Sequence, residues 1–392
     1  MMDLKETLYS NLQTISIEEY KGYLNEEELG FININKHPED ENVVILNYTE
    51  MATYEKRWNK YTMSARGLIL DLTDAVNNGI IYVLAKGFEK FPNFGSNEIE
   101  GYEDDIDFNE VPSVMEKMDG SLGISYFFKG EIRFATRGSF KSEQALKATE
   151  IWRKKYAQHE NLNVYVKAPV TYLVEIIYPD NRIVVDYKDR EELVMLGVIY
   201  LFCEPRFSDA YYEEVELEAM TLKMPVAPRY YFTIETLLEM KKSMTANEEG
   251  FVVRFSNGKR LKIKGEEYLK VHRVIHGLSD KAKVEAWSNN RMQEYIMVLP
   301  EEFRPELENL SNNLDKLKDA LLGLLQVIYE VINEESTDQK SFALTVNKMV
   351  NQEFRHFIFD AKKNGVISVD RVKHYIYKNY DEYLKVVKTW NN

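Results

Sequence analysis

The hydrophobic period of this chain changes near Gly277, and that switch limits what it can fold into more than any other feature. Before it, from about Asn42 to Lys264, β-branched and alternating apolar runs close on turn signals, as strands do; residues 67–72, 80–88, 122–128 and 131–136 are examples. The clearest hairpin joins 251–255 to 260–264 through Asn257-Gly258, a pair that tolerates the positive φ of a tight turn. After the switch, Leu310, Leu314, Leu317, Leu321, Leu324, Ile328 and Val331 recur at helical spacing and make one apolar face. A second helix is expected over 341–363, stopped by Asn364-Gly365, with Asp370 capping a third. The pattern predicts an α+β fold: antiparallel sheets with flanking helices over residues 1–277, then an all-α domain over residues 278–392.

Composition narrows the setting. Hydrophobic residues make up 44% and charged ones 29%, a globular balance that excludes disordered and collagen-like chains. Apolar runs such as 193–202 fall short of a bilayer span, and the first residues lack a basic stretch followed by an apolar one. Neither a membrane nor secretion is expected. A lone cysteine, Cys203, leaves no internal disulfide and no cysteine-rich zinc site, which suits the cytoplasm. The formal net charge of -14 argues against nonspecific duplex binding. A basic cleft can coexist with an acidic surface, so a pocket for a few phosphates stays open.

The chemistry centres on Lys117-Met118-Asp119-Gly120-Ser121, a Lys-x-Asp-Gly turn just before a strand. A lysine amine attacks phosphorus only when deprotonated, so its pKa of about 10.4 must be lowered by burial or nearby cations. Glycine lets the backbone approach a phosphate closely. The plainer reading is a surface turn with a solvated lysine, and such a pattern arises by chance in roughly one chain of this size in ten. Its company gives it weight. Ser64-Ala65-Arg66-Gly67 and Phe88-Glu89-Lys90-Phe91-Pro92-Asn93-Phe94 stand upstream. Downstream come Arg137-Gly138-Ser139-Phe140, Leu173-Val174-Glu175-Ile176-Ile177, Glu248-Glu249-Gly250-Phe251-Val252 and Lys262-Ile263-Lys264.

In these motifs the chain resembles the covalent nucleotidyltransferase superfamily, and most closely the RNA ligase 1 family of phage ATP-dependent RNA ligases. Pro179-Asp180-Asn181-Arg182-Ile183-Val184 and Lys141-Ser142-Glu143-Gln144-Ala145-Leu146 are similar to that family in particular, and the resemblance covers residues 45–275. Arg66-Gly67 precedes the lysine, as in those phage enzymes. DNA ligases and capping enzymes carry the corresponding element after it and continue into a small β-barrel, where this chain continues into helices.

The resemblance implies that Lys117 attacks the α-phosphorus of ATP, expelling pyrophosphate and forming lysine-AMP. AMP then passes to the 5′-phosphate of an RNA end, and the 3′-hydroxyl of another end displaces it. Lys262 and Lys264, alternating with Ile263 on one strand face, would neutralise the α-phosphate and depress the Lys117 pKa. Arg66, Lys90 and Arg137 would hold outer phosphates or the sugar, the family having lysine where Arg137 stands; Glu116, beside the nucleophile, joins the ATP-binding set. Glu175 and Glu249, with Tyr268, would position hydrated magnesium, for which manganese could substitute. Pairing of either glutamate with a structural lysine is the alternative. Leu196 and Val252 match positions that sandwich adenine, although apolar strand residues are more often plain core. An acidic pair that helps a second metal in the phage enzymes is missing at 288–293, leaving Glu285, Glu294 or ATP alone.

The last segment carries Lys362, Lys363, Arg371, Lys373, Lys378, Lys385 and Lys388, interleaved with Tyr375, Tyr377, Tyr380, Tyr383 and Trp390. Such rings can stack on unpaired bases; a solvated helix with its aromatic side on the core is the other reading. In the family, a helical appendage of this size helps choose a tRNA cleaved in its anticodon loop. The expected partner is therefore RNA, either single-stranded ends or a broken tRNA, met by a monomer in the cytoplasm, the host's if the chain is phage-encoded. A DNA ligase or capping-type enzyme would share the first step and differ in acceptor. A noncatalytic RNA-binding protein would keep the fold without the chemistry.

Overall fold

The computed structural model describes residues 4–96, 98–202, 209–277, 279–298 and 304–389, so Cys203 and Trp390 lie outside the described residues. The chain divides into two units, residues 1–269 and 270–392. That division falls inside the helix Glu266–Gly277 rather than after it, because Tyr268 in its first turn is buried in the first unit.

The first unit holds three antiparallel sheets. One orders β1 (Thr14–Ser16), β5 (Ile80–Ala85), β4 (Arg66–Asp71), β3 (Asp40–Tyr48) and β2 (Ile32–His37). Another orders β10 (Glu192–Tyr200), β9 (Val170–Ile177), β7 (Ser121–Phe128) and β8 (Glu131–Ala135). These two share one core, in which Ile45, Ile69, Val83, Ile124 and Leu173 meet Trp152 of the helix Glu143–Lys155. Ser142 caps that helix, its hydroxyl accepting from the Ala145 amide at 3.2 Å.

The third sheet orders β11 (Arg229–Tyr230), β6 (Ser113–Glu116), β12 (Gly250–Arg254) and β13 (Arg260–Lys264). Period-two alternation decides what each of its faces does. Phe251, Val253, Leu261 and Ile263 pack against Ile234 and Leu237, which leaves Val252, Arg260, Lys262 and Lys264 on the other side. The β12–β13 turn differs from the expected one. Gly258 alone of the pair takes a positive φ, of 84°, while Asn257 donates to the Asp105 carbonyl and accepts from the Lys259 amide.

The second unit is helical: Asp280–Ser288, Met292–Val298, Arg304–Glu335, Gln339–Met349, Arg355–Asn364, Val369–Lys378 and Tyr380–Thr389. Its own core gathers Leu314, Leu325, Ile332, Phe342, Phe357, Val372 and Ile376. The leucine face holds for the first half of the long helix and then drifts: Leu324 and Val331 are 58% and 43% exposed, and Leu325, Tyr329 and Ile332 are buried instead. A strict seven-residue repeat slips by about 20° per heptad around a straight helix, enough to turn its far end out of a compact core. The helix expected over 341–363 is two helices. Val350 is extended between them, and Arg355 binds the freed Val350 and Asn347 carbonyls at 2.9 and 2.7 Å. Gly365 ends the second at φ 80°, and Ser368 rather than Asp370 caps the next. No helix among the described residues is long and apolar enough to cross a membrane.

Candidate active site

A cleft of about 740 Å³ opens between the cation-bearing face of the third sheet and the ends of β4, β7 and β9. One wall is built by pairing: β6 delivers Lys117 next to β12, where the Lys117 amide donates to the Gly250 carbonyl at 2.8 Å. That places the amine beside Glu249, which is buried. Lys117 Nζ donates to Glu249 Oε2 at 2.7 Å, and Lys264 Nζ meets Oε1 at 2.9 Å. Gly250 has to be glycine here. Its φ is 139°, and a Cβ would come within 2.1 Å of the Ile263 carbonyl oxygen.

Opposite, β3 pairs Asn47 with Arg66 across a register shift that leaves Gly67 as the extra residue, at φ 82°. This bulge turns Arg66 into the cleft, where its guanidinium donates to the Phe88 carbonyl at 3.3 Å. Arg137 enters from the turn after β8 and donates to the Tyr48 hydroxyl at 3.3 Å. Glu116, Lys117, Glu175, Leu196, Val252, Lys262 and Lys264 line the same space, so most of the residues singled out from sequence converge. Glu116 accepts from the Tyr230 hydroxyl at 3.2 Å. Lys90 stands behind the lining, paired with Glu98 and lying over the rings of Tyr48 and Trp58.

One expectation needs correcting. The neighbouring cations do not leave the Lys117 amine depressed; burial presses it down, but Glu249, Glu175 and Asp119 outweigh burial and hold it above the ordinary lysine value. Lys264 gives its charge to Glu249 instead. The amine brought down, to about 7, is that of Lys262, by burial first and then by Lys90, with Arg66 and Lys117 adding to it. Tyr268 is not among the residues lining the cleft, and its hydroxyl bonds both Asp119 and Glu249. It is buried and donates to Asp119 Oδ1 at 2.8 Å, and burial with the nearby Glu249 and Asp119 carboxylates raises its hydroxyl, so it stays protonated. Asp119 in turn accepts from the Val184 and Val185 amides at 2.8 Å, pinning the segment that carries Ile183 to the lysine turn.

Glu175 is the second buried carboxylate. Its pKa is pushed up to about 8, chiefly by burial, with Glu249 and Asp119 adding to the rise and Lys117 opposing it. Two enclosed carboxylates in each other's field suit a hydrated divalent cation, which commonly takes one or two protein carboxylates and completes its shell with water and phosphate. Among the described residues no group of three or more His, Cys, Asp or Glu side chains is placed to hold a metal. Glu294, a candidate for a second metal, pairs with Arg291 at 3.0 Å.

Sequence reasoning missed Arg260, Gln144 and Asn47, all lining the cleft. Arg260 had a signal, since it is the third member of the alternating set with Lys262 and Lys264; its guanidinium lies 4.3 Å over the Phe88 ring and pairs with Asp209. In the helical unit the tail aromatics turn inward. Tyr375, Tyr377, Tyr380 and Tyr383 pack against the core, and Tyr375 donates to Glu353 at 3.0 Å, which favours the core reading of that face.

A family model described as RNA ligase matches residues 64–269, just over half of the chain. An RNA ligase of Rhodothermus phage RM378 is 22% identical over 341 residues, covering 72% of this chain and 76% of the relative. A putative RNA ligase of Thermovibrio ammonificans is 24% identical over 288 residues, covering 70% and 72%. A putative bifunctional polynucleotide kinase/RNA ligase of Autographa californica nuclear polyhedrosis virus is 28% identical over 257 residues, covering 59% of this chain and 35% of the viral protein.

Proposed function

The chain belongs to the RNA ligase family, and from that premise we propose that it seals RNA through a covalent lysine-AMP intermediate on Lys117. RNA ligation is the family's activity; the intermediate, ATP and magnesium as its cofactors, and the particular RNA are our reading. The observation that carries it is the amine of Lys117, set in a cation-lined cleft of about 740 Å³ at 2.7 Å from a buried carboxylate. Once uncharged, the amine attacks the α-phosphorus. The nitrogen–phosphorus bond forms as the bond to the bridging oxygen breaks, and pyrophosphate leaves with that electron pair. The proton shed by Nζ has Glu249 Oε2 as its nearest acceptor.

Arg66, Arg137 and Lys262 would carry the outer phosphates, and Leu196 with Val252 would flank the base. Glu175 and Glu249 would hold magnesium, whose charge offsets the carboxylates that keep Lys117 protonated and stabilises the phosphate oxygens. Incubation with α-labelled ATP and magnesium should leave covalent label on the wild type and none on Lys117→Ala. Challenging the labelled enzyme with single-stranded RNA, nicked DNA and diphosphate-ended RNA then identifies the acceptor. Our choice within RNA is a broken tRNA presented to a monomer, which a sealing assay on cleaved tRNA beside linear RNA tests.

A further inference from the structure

We propose that Glu98 is the resident counter-charge of the phosphate corner: it holds Lys90 while no polyphosphate is bound, and by reclaiming Lys90 it speeds the departure of pyrophosphate. The inference rests on Lys117 acting as a nucleophile that expels pyrophosphate. Glu98 makes and breaks no bond in that step; it is a positioning residue that acts through Lys90.

The corner is assembled around Tyr48 and Trp58, whose rings meet edge to face at 5.1 Å. The Lys90 ammonium lies 5.8 Å from the first ring centroid and 5.2 Å from the second, and Glu98 closes the box as its ion-pair partner. The segment after Lys90 is stitched to the strand of Lys262, with the Lys262 amide donating to Pro92 O at 3.0 Å and the Phe94 amide to Lys262 O at 2.9 Å. Glu98 therefore sits within electrostatic reach of both amines, and it is the carboxylate that opposes the downward pull on Lys262.

The corner is polar yet incompletely satisfied. Beside the Lys90 ammonium, Trp58 Nε1 and Glu98 Oε2 are buried with no hydrogen-bond partner among the described residues. Buried polar groups in native proteins are nearly always paired, so these two orphans at the Lys90 ammonium mark a place completed by a ligand. An indole N–H suits phosphate oxygens, whereas a carboxylate does not. Glu98 cannot then be a ligand of the phosphates, and it competes with them for Lys90. A buried lysine left unpaired after pyrophosphate leaves would be costly, so a carboxylate held in reserve favours the empty state over the product-bound one.

The test uses the full-length enzyme and inorganic pyrophosphate as probe, with Glu98→Gln and Trp58→Phe. In Glu98→Gln, pyrophosphate should inhibit label uptake at about five-fold lower concentration than in wild type, and should strip AMP from labelled enzyme correspondingly faster. Trp58→Phe, which keeps the ring and loses the N–H donor, should weaken pyrophosphate inhibition. Sealing of pre-adenylylated RNA, which involves no pyrophosphate, should be unchanged in Glu98→Gln, a readout that general misfolding would not spare. Equal or weaker pyrophosphate inhibition in a Glu98→Gln enzyme that takes up label overturns the proposal. Failure of the wild type to take up label overturns the nucleophile reading instead.

Discussion

At the scale of single residues, Glu175 and Lys262 in the cleft are displaced in opposite directions, and each makes a pH-dependent prediction. Glu175, raised to about 8 against about 4.3 in an unfolded chain, binds its proton more tightly when folded. Stability from this group is full below the unfolded value and falls as pH rises between the two. Glu175→Gln removes that loss, so it should raise the unfolding free energy at pH 8 by roughly 1–3 kcal/mol, seen as a higher unfolding temperature, and leave it nearly unchanged at pH 4. It should also abolish label uptake. A melting temperature that drops at pH 8 would show the carboxylate to be structural. Lys262, lowered to about 7, must be charged to hold phosphate. ATP affinity measured on Lys117→Ala should therefore fall by up to about ten-fold from pH 7 to pH 8, and Lys262→Arg should flatten that slope. Much of this site was legible beforehand, because nucleophile, cations and carboxylates each sit in a short local motif. Glu98, Trp58 and the partners of Asp119 were not, since their roles arise from contacts between distant segments.

At the scale of elements, close main-chain packing fixes the nucleophile. Gly250→Ala would drive a methyl into the Ile263 carbonyl and part β12 from β13, costing about 2–4 kcal/mol and separating Lys117 from Glu249. Calorimetry and label uptake should fall together. A variant with wild-type stability but no label would point to a purely local distortion. Strand patterning read well wherever one face was buried, as in β13. It failed for β2, an edge strand in which Ile32 and His37 are the buried positions and the alternation is thin. The helical unit read well for helix content and poorly for boundaries. Where the 341–363 pattern breaks is decided by Arg355 reaching back to two carbonyls, which apolar spacing does not encode.

At the scale of the whole molecule, charge is unevenly shared. Residues 270–392 carry 18 basic and 18 acidic side chains, so the full -14 resides in the first unit, around a cleft whose own cations are few. RNA should therefore be gripped at a few phosphates rather than along a track. Binding should lose affinity with salt at a log–log slope of magnitude about 2–3, as three or four single-strand phosphates give. Anisotropy titrations over a range of salt check this, and a slope of about 6 or more would reveal an extended basic groove. The hydrogen bond from the Lys117 amide to Gly250 bears on how any such strand gets in. It makes nucleophile and acid passengers on one stretch of paired main chain, travelling together whenever the molecule breathes. Admission of substrate must then fall to the facing side, where arginines on turns and bulges can swing without disturbing the geometry of attack.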